Sequence, residues 1–431
     1  MKTVKRILAG LIILAAVASV FANGAKDSTA AEKNGTITLN VWHQWSNDTN
    51  ELKKLYDKAV SEYEKAHPNV KIRTETLDTE AYKTKILAEF AGSAKGIDVF
   101  YYWGAGKARA LVKAGKLLAL DDYLTSDVRS KILPGSTGAF VYGGKTYSVP
   151  MFSWYMTLFC NTTIFEKAGA KIPTTYPELL EAVKKIEVLG DVVPIASGAK
   201  DGWNAAFIYQ ALALRNVGGK DINAMLNGST RFSAVGYIDA AQQVVDLYKA
   251  GAFGKNPLEE GNDDANSKFI TGKAAMRLMG SWFANQLYTD STATVNPAKV
   301  VACKIPLIPG KGNAGDYCGG FVESFWNNKN CKHPAEAADF TLYINERMGV
   351  AAYETGTGFS GWKGNFNESR LNPLFVQIKN LLAEGRESVL AWDTSLDSEP
   401  ATVHNEQVQT LFAQAANVTE FVDAHKAVIN K

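Results

Sequence analysis

The apolar positions of this chain fall into two alternating periods. Thr36 to Val41 (TITLNV) carries the β-branched and apolar content of a strand, and it runs into Trp42, His43, Gln44 and Trp45. Asp48 with Glu51 three residues on predicts a capping box that opens a helix. Leu52, Leu55, Ala59, Val60 and Tyr63 then recur at helical spacing until His67-Pro68 ends the run. Residues 69–76 alternate as a second strand, Tyr82, Ile86, Leu87 and Phe90 mark a second amphipathic helix, and IDVFYYW is a third strand ending at Trp103. Strand, helix, strand, helix, strand in this order predicts a doubly wound α/β unit with a parallel sheet. Ligands of such sheets lie outside the carboxyl ends of the strands. Trp42 to Trp45 stand at that edge.

The pattern then starts again. A short helix over 107–114 and a tight hairpin over 142–147 lead through Val149-Pro150 into WYMTLFCNT, the first strand of a second unit. Thr175 with Glu178 forms another capping box, followed by a buried face of Leu179, Leu180, Val183 and Ile186. VVPIASG reads as a strand, Asp201-Gly202-Trp203 opens a helix, and 235–250 and 264–272 are further helices. KAAMRLMGSW is a strand with Gly280, Ser281 and Trp282 at its carboxyl end. Val300 to Ile308 and CGGFVESFW each read as one strand, a helix runs from Pro334 to about Met348, and the remainder is mostly helical.

The first residues differ in kind. Lys2, Lys5 and Arg6 precede the apolar run Ile7 to Val20 and a small-residue site ending at Ala22. This predicts a secretory signal over 1–22, cleaved rather than kept as an anchor because its core is short for a membrane span. Residues 23–35 are expected to be a flexible tether, and with no cysteine near the cleavage site the product is expected to be a freely soluble periplasmic protein. The 431 residues call for two or three domains, and 46% hydrophobic with 21% charged residues is a globular composition. Removing Lys2, Lys5 and Arg6 from the 46 basic residues leaves 43 against 44 acidic ones, which argues against nucleic acid as a partner. Cys160 lies in an apolar strand and reads as a buried thiol. Cys303, Cys318 and Cys331 leave one disulfide open, and no spacing matches a zinc site.

Several stretches, in this order and spacing, carry a resemblance: TITLNVWH, YEKAHPNVKI, IDVFYYW leading to AGKLLALDDYL, YGGKTYSVP, MTLFCNTTIFEKAGAKIPTTYPELLEAVKKI, FITGKAAMRLMGSW and CGGFVESFWNNKNCKHPAEAADFTLYI. Together they resemble the family 1 extracellular solute-binding proteins, the carbohydrate-binding components of ABC importers. The resemblance implies two α/β lobes joined by crossing strands, with ligand in the cleft between them. Lobe one would hold 36–148 and 309–347, and lobe two 149–308 and 348–431. It further implies a monomer that binds a small carbohydrate and delivers it to a membrane permease, with no cofactor.

Most of the nine tryptophans follow a strand end or sit in a loop. Sugars pack the C–H faces of their rings on flat aromatic surfaces and pair their hydroxyls with carboxylates and amides. On this chemistry His43, Gln44 and Trp45 are candidate contacts, with Trp42 turned into the core and a structural role open for His43. Trp103 caps the third strand, and one of Trp154 and Tyr155 should face the ligand, since neighbours on a strand point apart. Trp203 opens a helix whose free N–H groups can meet ligand oxygens. Ser281 and Trp282 resemble the family's pocket segment. Gly320 would let a sugar approach the backbone, and Glu323 either accepts hydroxyls or is a solvated charge. Phe359 or Trp362 would close over the ligand, and Trp392 and Asp393 complete the set.

Other readings stay open at this level. A secreted glycoside hydrolase needs two placed carboxylates, which 44 acidic residues do not exclude; no nucleophile elbow or HExxH motif accompanies them. A polyol or glycerol phosphate binder, or a sugar sensor for a chemoreceptor, would share the fold. An anionic ligand would call for Arg or Lys at the cleft.

Overall fold

The computed structural model describes residues 35–429; the expected signal sequence and the tether up to Asn34 lie outside them. The first sheet begins with β1 (Ile37–His43), paired in parallel with β2 (Val70–Thr76) along its whole length and with β3 (Val99–Trp103). Helices α1 (Glu51–Ala66), α2 (Thr79–Ala91) and α3 (Gly106–Lys113) follow the three strands in turn. Helix α1 departs from expectation at its start. Asn50, not Asp48, caps it, accepting from the Leu52 N–H, while Asp48 pairs with Lys53 at 3.1 Å. A helix that begins at Glu51 puts Asp48 two residues too early to cap it.

The second sheet is built around β4 (Phe152–Asn161), a ten-residue strand with only Tyr155 less than fully buried. Helix α4 (Tyr176–Glu187) carries the expected Thr175–Glu178 capping box. It leads to β5 (Val193–Ile195), and then come α5 (Gly202–Val217), α6 (Asn262–Ile270), β6 (Ala274–Gly280), α7 (Phe283–Thr289) and β7 (Val300–Cys303). The expected strand to Ile308 stops at Cys303.

The run CGGFVESFW is two strands rather than one. β8 (Tyr317–Phe321) lies antiparallel to β4, with Gly320 opposite Trp154, whereas β9 (Glu323–Asn327) lies antiparallel to β3, with Glu323 opposite Trp103. The chain therefore crosses from the second sheet to the first at Val322, and residues 317–321 belong with the second sheet instead of lobe one. Gly319 and Gly320 just before the crossing have φ of +135° and +141°, and a Cβ on Gly319 would stand 2.1 Å from the Trp154 carbonyl oxygen. Only glycine fits there.

Helix α8 (Pro334–Glu354) runs past Met348 and packs Phe340, Ile344, Met348 and Ala352 into the first core with Tyr56 and Tyr63. β10 (Phe359–Ser360) then returns to β4 and β11 (Ser388–Val389) to β8. The order of the second sheet is β11-β8-β4-β6-β5, with β7 and β10 also on β4, and that of the first is β9-β3-β1-β2. The short α9 (Trp392–Ser395), α10 (Ser398–Thr410) and α11 (Val418–Ile429) close the second lobe against α5. Each sheet has its own hydrophobic core, and a small third cluster around Trp362 packs beside the crossing. All four cysteines are free; Cys160 and Cys303 are neighbours across the β4–β7 ladder, with burial pushing the Cys160 thiol up.

Candidate functional site

A cavity of about 460 Å3 lies between the lobes at the carboxyl ends of their strands. From the first lobe it takes Gln44 and Trp45 after β1, Asp78 and Lys83 at the start of α2, Trp103 at the end of β3, Lys107 on α3 and Glu323 at the start of β9. From the second it takes Trp154 on β4, Trp203 and Phe207 on α5, Asn262 and Asn266 on α6, Trp282 before α7, and Asp393 on α9.

The aromatic side chains are ordered by each other. Trp154 stacks on Phe207 with ring centroids 5.3 Å apart and meets Trp282 edge-on at 5.0 Å, while Trp203 meets Phe207 edge-on at 5.2 Å. Lys83 Nζ stands 5.6 Å from the Trp103 ring centre and 5.5 Å from that of Trp203, so one cation bridges an aromatic face of each lobe. Lys107 lies 5.0 Å from Trp103 and reaches Asp393 of the other lobe at 3.5 Å. Burial pulls the Lys107 ammonium down, opposed by Asp393. Beside them Gly106 packs against the second lobe so tightly that a Cβ would sit 2.0 Å from the Leu396 carbonyl oxygen.

Polar groups face the same space. The Trp203 indole N–H and Gln44 Oε1 are buried and have no hydrogen-bond partner within the described residues. Among the described residues no lysine or arginine acts on Glu323. Burial pushes its carboxyl up to about 7, partly offset by the Tyr101 hydroxyl and the Trp103 indole. Aromatic faces beside unpaired donors and acceptors suit a small solute with both apolar and hydroxylated surface.

Eight of the fifteen sequence candidates thus line one cavity: Gln44, Trp45, Trp103, Trp154, Trp203, Trp282, Glu323 and Asp393. Seven stand elsewhere. His43 is fully buried, lies 4.3 Å from the Tyr56 ring and accepts the Trp45 N–H on Nδ1; burial, then Lys53, lowers its pKa to about 3, leaving a neutral core histidine. Tyr155 points away from Trp154, toward Phe359 and Tyr317. Ser281 is buried and accepts the Tyr155 N–H, supporting the turn that presents Trp282. Gly320 is covered by Leu390. Phe359 stacks on Phe375 at 4.5 Å. Trp362 is fully buried with its indole N–H on the Pro150 carbonyl, and Trp392 is buried against Tyr209 and His404. Trp362 and Trp392 act as core wedges because their segments fold back onto a lobe instead of over the cleft.

Sequence reasoning missed Asp78, Lys83, Lys107, Asn262 and Asn266. Asp78 caps α2 and the other four lie in a helix's first two turns, where a polar residue reads as an ordinary cap or solvated face. The usable signal was position, since each helix follows a strand or loop at the cleft edge.

Two α/β lobes joined by crossing strands, closing on a cleft that both supply, define a solute-binding protein of the two-lobe periplasmic type. The chain belongs to the bacterial extracellular solute-binding protein family, whose model matches residues 46–344. That family is one of substrate-binding proteins, not of enzymes. The chain is 28% identical, over 96% of its length and 94% of the relative's, to an uncharacterized ABC transporter extracellular-binding protein of Pyrococcus horikoshii. It is 24% identical to the multiple sugar-binding protein of Streptococcus mutans, over 65% of this chain and 66% of that one. A structure from work on xylan utilization by Caldanaerobius polysaccharolyticus superimposes with a TM-score of 0.86 at 33% identity, covering 91% of this chain and 99% of that one. A chitin oligosaccharide binding protein shares the fold, with a TM-score of 0.81 at 22% identity over 92% of this chain and 100% of the other.

Proposed function

We propose that this protein is the periplasmic sugar-binding component of an ABC importer, trapping a mono- or oligosaccharide between its lobes for delivery to a membrane permease. The observation that carries the reading is the cleft itself. Trp103, Trp154, Trp203 and Trp282 surround a space that also holds Gln44, Glu323 and the unpartnered Trp203 N–H. Apolar ring faces and hydroxyls of a sugar match those two kinds of surface. The relatives named for sugars and for xylan utilization support the same class, and a pentose or hexose oligomer fits a cavity of this size. The protein acts as a monomer, exported by the signal sequence over 1–22, and the energy for uptake comes from the permease's ATPase.

Lys83 and Lys107 raise the case of an anionic ligand, and one relative is named for sn-glycerol 3-phosphate. Both lysines are already committed, Lys83 to Glu80 at 2.7 Å and Lys107 to Asp393, so a neutral sugar is preferred. A thermal-shift series with xylotriose, chitobiose, maltotriose, galactose, ribitol and glycerol 3-phosphate tests the reading, since a ligand of the folded state raises its stability with concentration. A sugar should raise the melting temperature. A shift with glycerol 3-phosphate alone, or catalytic cleavage of an oligosaccharide, would overturn the proposal.

A further inference from the structure

Arg277 on β6 is 1% exposed, yet among the described residues no carboxylate hydrogen-bonds to it. A guanidinium has five N–H donors and no acceptor, and here all five are used. Nε donates to Asn266 Oδ1 at 3.1 Å. Nη1 donates to the carbonyls of Ala196 and Ser197, each at 3.1 Å. Nη2 donates to Asn204 Oδ1 at 2.9 Å and Asn262 Oδ1 at 3.1 Å.

Resting on the sugar-binding reading, we propose that Arg277 is a positioning residue that sets the second lobe's wall of the cleft as a hydrogen-bond donor. A side-chain amide is ambiguous by shape, since its oxygen and nitrogen are nearly equal in size. Beside a group that only donates the ambiguity disappears, and the oxygen must face the guanidinium. Asn262 and Asn266, which both line the cleft, are therefore locked with their NH2 groups turned from Arg277. Each NH2 has two N–H bonds. One on Asn262 goes to Asp263 Oδ1 at 2.9 Å, and one on Asn266 is shared weakly with Gln286 Oε1 at 3.4 Å. The second N–H of each remains for the ligand, polarised by a cation held in a dry interior. The sugar atom it meets presents a lone pair: a ring or linking oxygen, or a hydroxyl whose own proton is donated elsewhere. Flipping such a hydroxyl to donate here would forfeit its other bond.

Asn266→Asp separates this role from plain scaffolding. The carboxylate keeps the shape, gains an ion pair with Arg277 and loses the cleft donor. The variant should melt no lower than wild type and bind xylotriose about tenfold or more weakly by calorimetry. Binding within about twofold of wild type would overturn the proposal. A second comparison needs no ligand. In nitrogen-15 spectra of the free protein the Asn262 and Asn266 NH2 signals should exchange slowly in wild type and quickly in Arg277→Lys; unchanged exchange would refute the locking. If wild type binds none of the sugars of the thermal-shift series, that counts against the sugar reading, and the exchange comparison still decides the role of Arg277.

Discussion

Glu323→Gln is the sharpest probe of the cleft floor. The wild-type carboxyl has a pKa of about 7 in the folded chain against an ordinary 4.5, because burial strips it of water and outweighs the opposing pull of the Tyr101 hydroxyl and the Trp103 indole. The folded state therefore holds a proton that the unfolded state has already released between pH 4.5 and 7. Stability that is complete below pH 4.5 is lost as the pH rises through 7. A shift of about 2.5 units at 1.36 kcal/mol each sets an upper figure of about 3 kcal/mol. Glutamine imitates the protonated form without titrating. The variant should match wild type near pH 4.5 and be more stable by up to about 3 kcal/mol at pH 8, seen as a melting temperature several degrees higher. Melts of the ligand-free proteins at half-unit steps of pH would trace the divergence. Parallel curves from pH 4.5 to 8 would refute the claim that burial holds this carboxyl protonated in the folded state. A ligand that donates a hydroxyl to the ionised form should in turn bind wild type more tightly as the pH rises toward 7.

Trp282→Ala should weaken sugar binding about tenfold by calorimetry, through loss of the ring beside Trp154, while the melting temperature of the empty protein stays near wild type. Gly106→Ala places a methyl against the Leu396 carbonyl and should prop the lobes apart, measured as a larger radius of gyration by X-ray scattering and a weaker sugar affinity. The buried pair His404 and His425, 2.9 Å apart, has depressed pKa values, to about 4 for His425, chiefly through burial. Its contribution is complete above pH 6.5 and is lost as the pH falls through 4, so His425→Gln should flatten the acid limb of the stability curve by up to about 3 kcal/mol.

The alternation of strands and helices was legible because each element carries its own period and stop signal, as at His67-Pro68 and the Thr175–Glu178 box. The crossing at Val322 was not, since CGGFVESFW alternates without a break while its hydrogen-bonding partners change from β4 to β3. Aromatic residues at strand ends drew attention to the edge of both sheets where the cavity lies. Which of them face solvent depends on how a loop folds back: Trp203 and Trp282 stay at the cleft, whereas Trp362 and Trp392 turn inward. The contribution of Arg277 could not be read from KAAMRLMGSW, because its partners come from three separate segments.

The crossing at Val322 also bears on how the molecule comes apart. Residue 321 is laddered to one sheet and residue 323 to the other, and the Val322 carbonyl accepts the Gly104 N–H at 2.7 Å. Peeling either strand away tugs on the next residue of the other. Two hydrophobic cores would ordinarily melt as two events, but here this junction fastens one to the other, alongside contacts such as Gly106 against Leu396. Heating should therefore give one calorimetric peak rather than a pair, and cutting the chain beside Val322 should let the lobes melt separately.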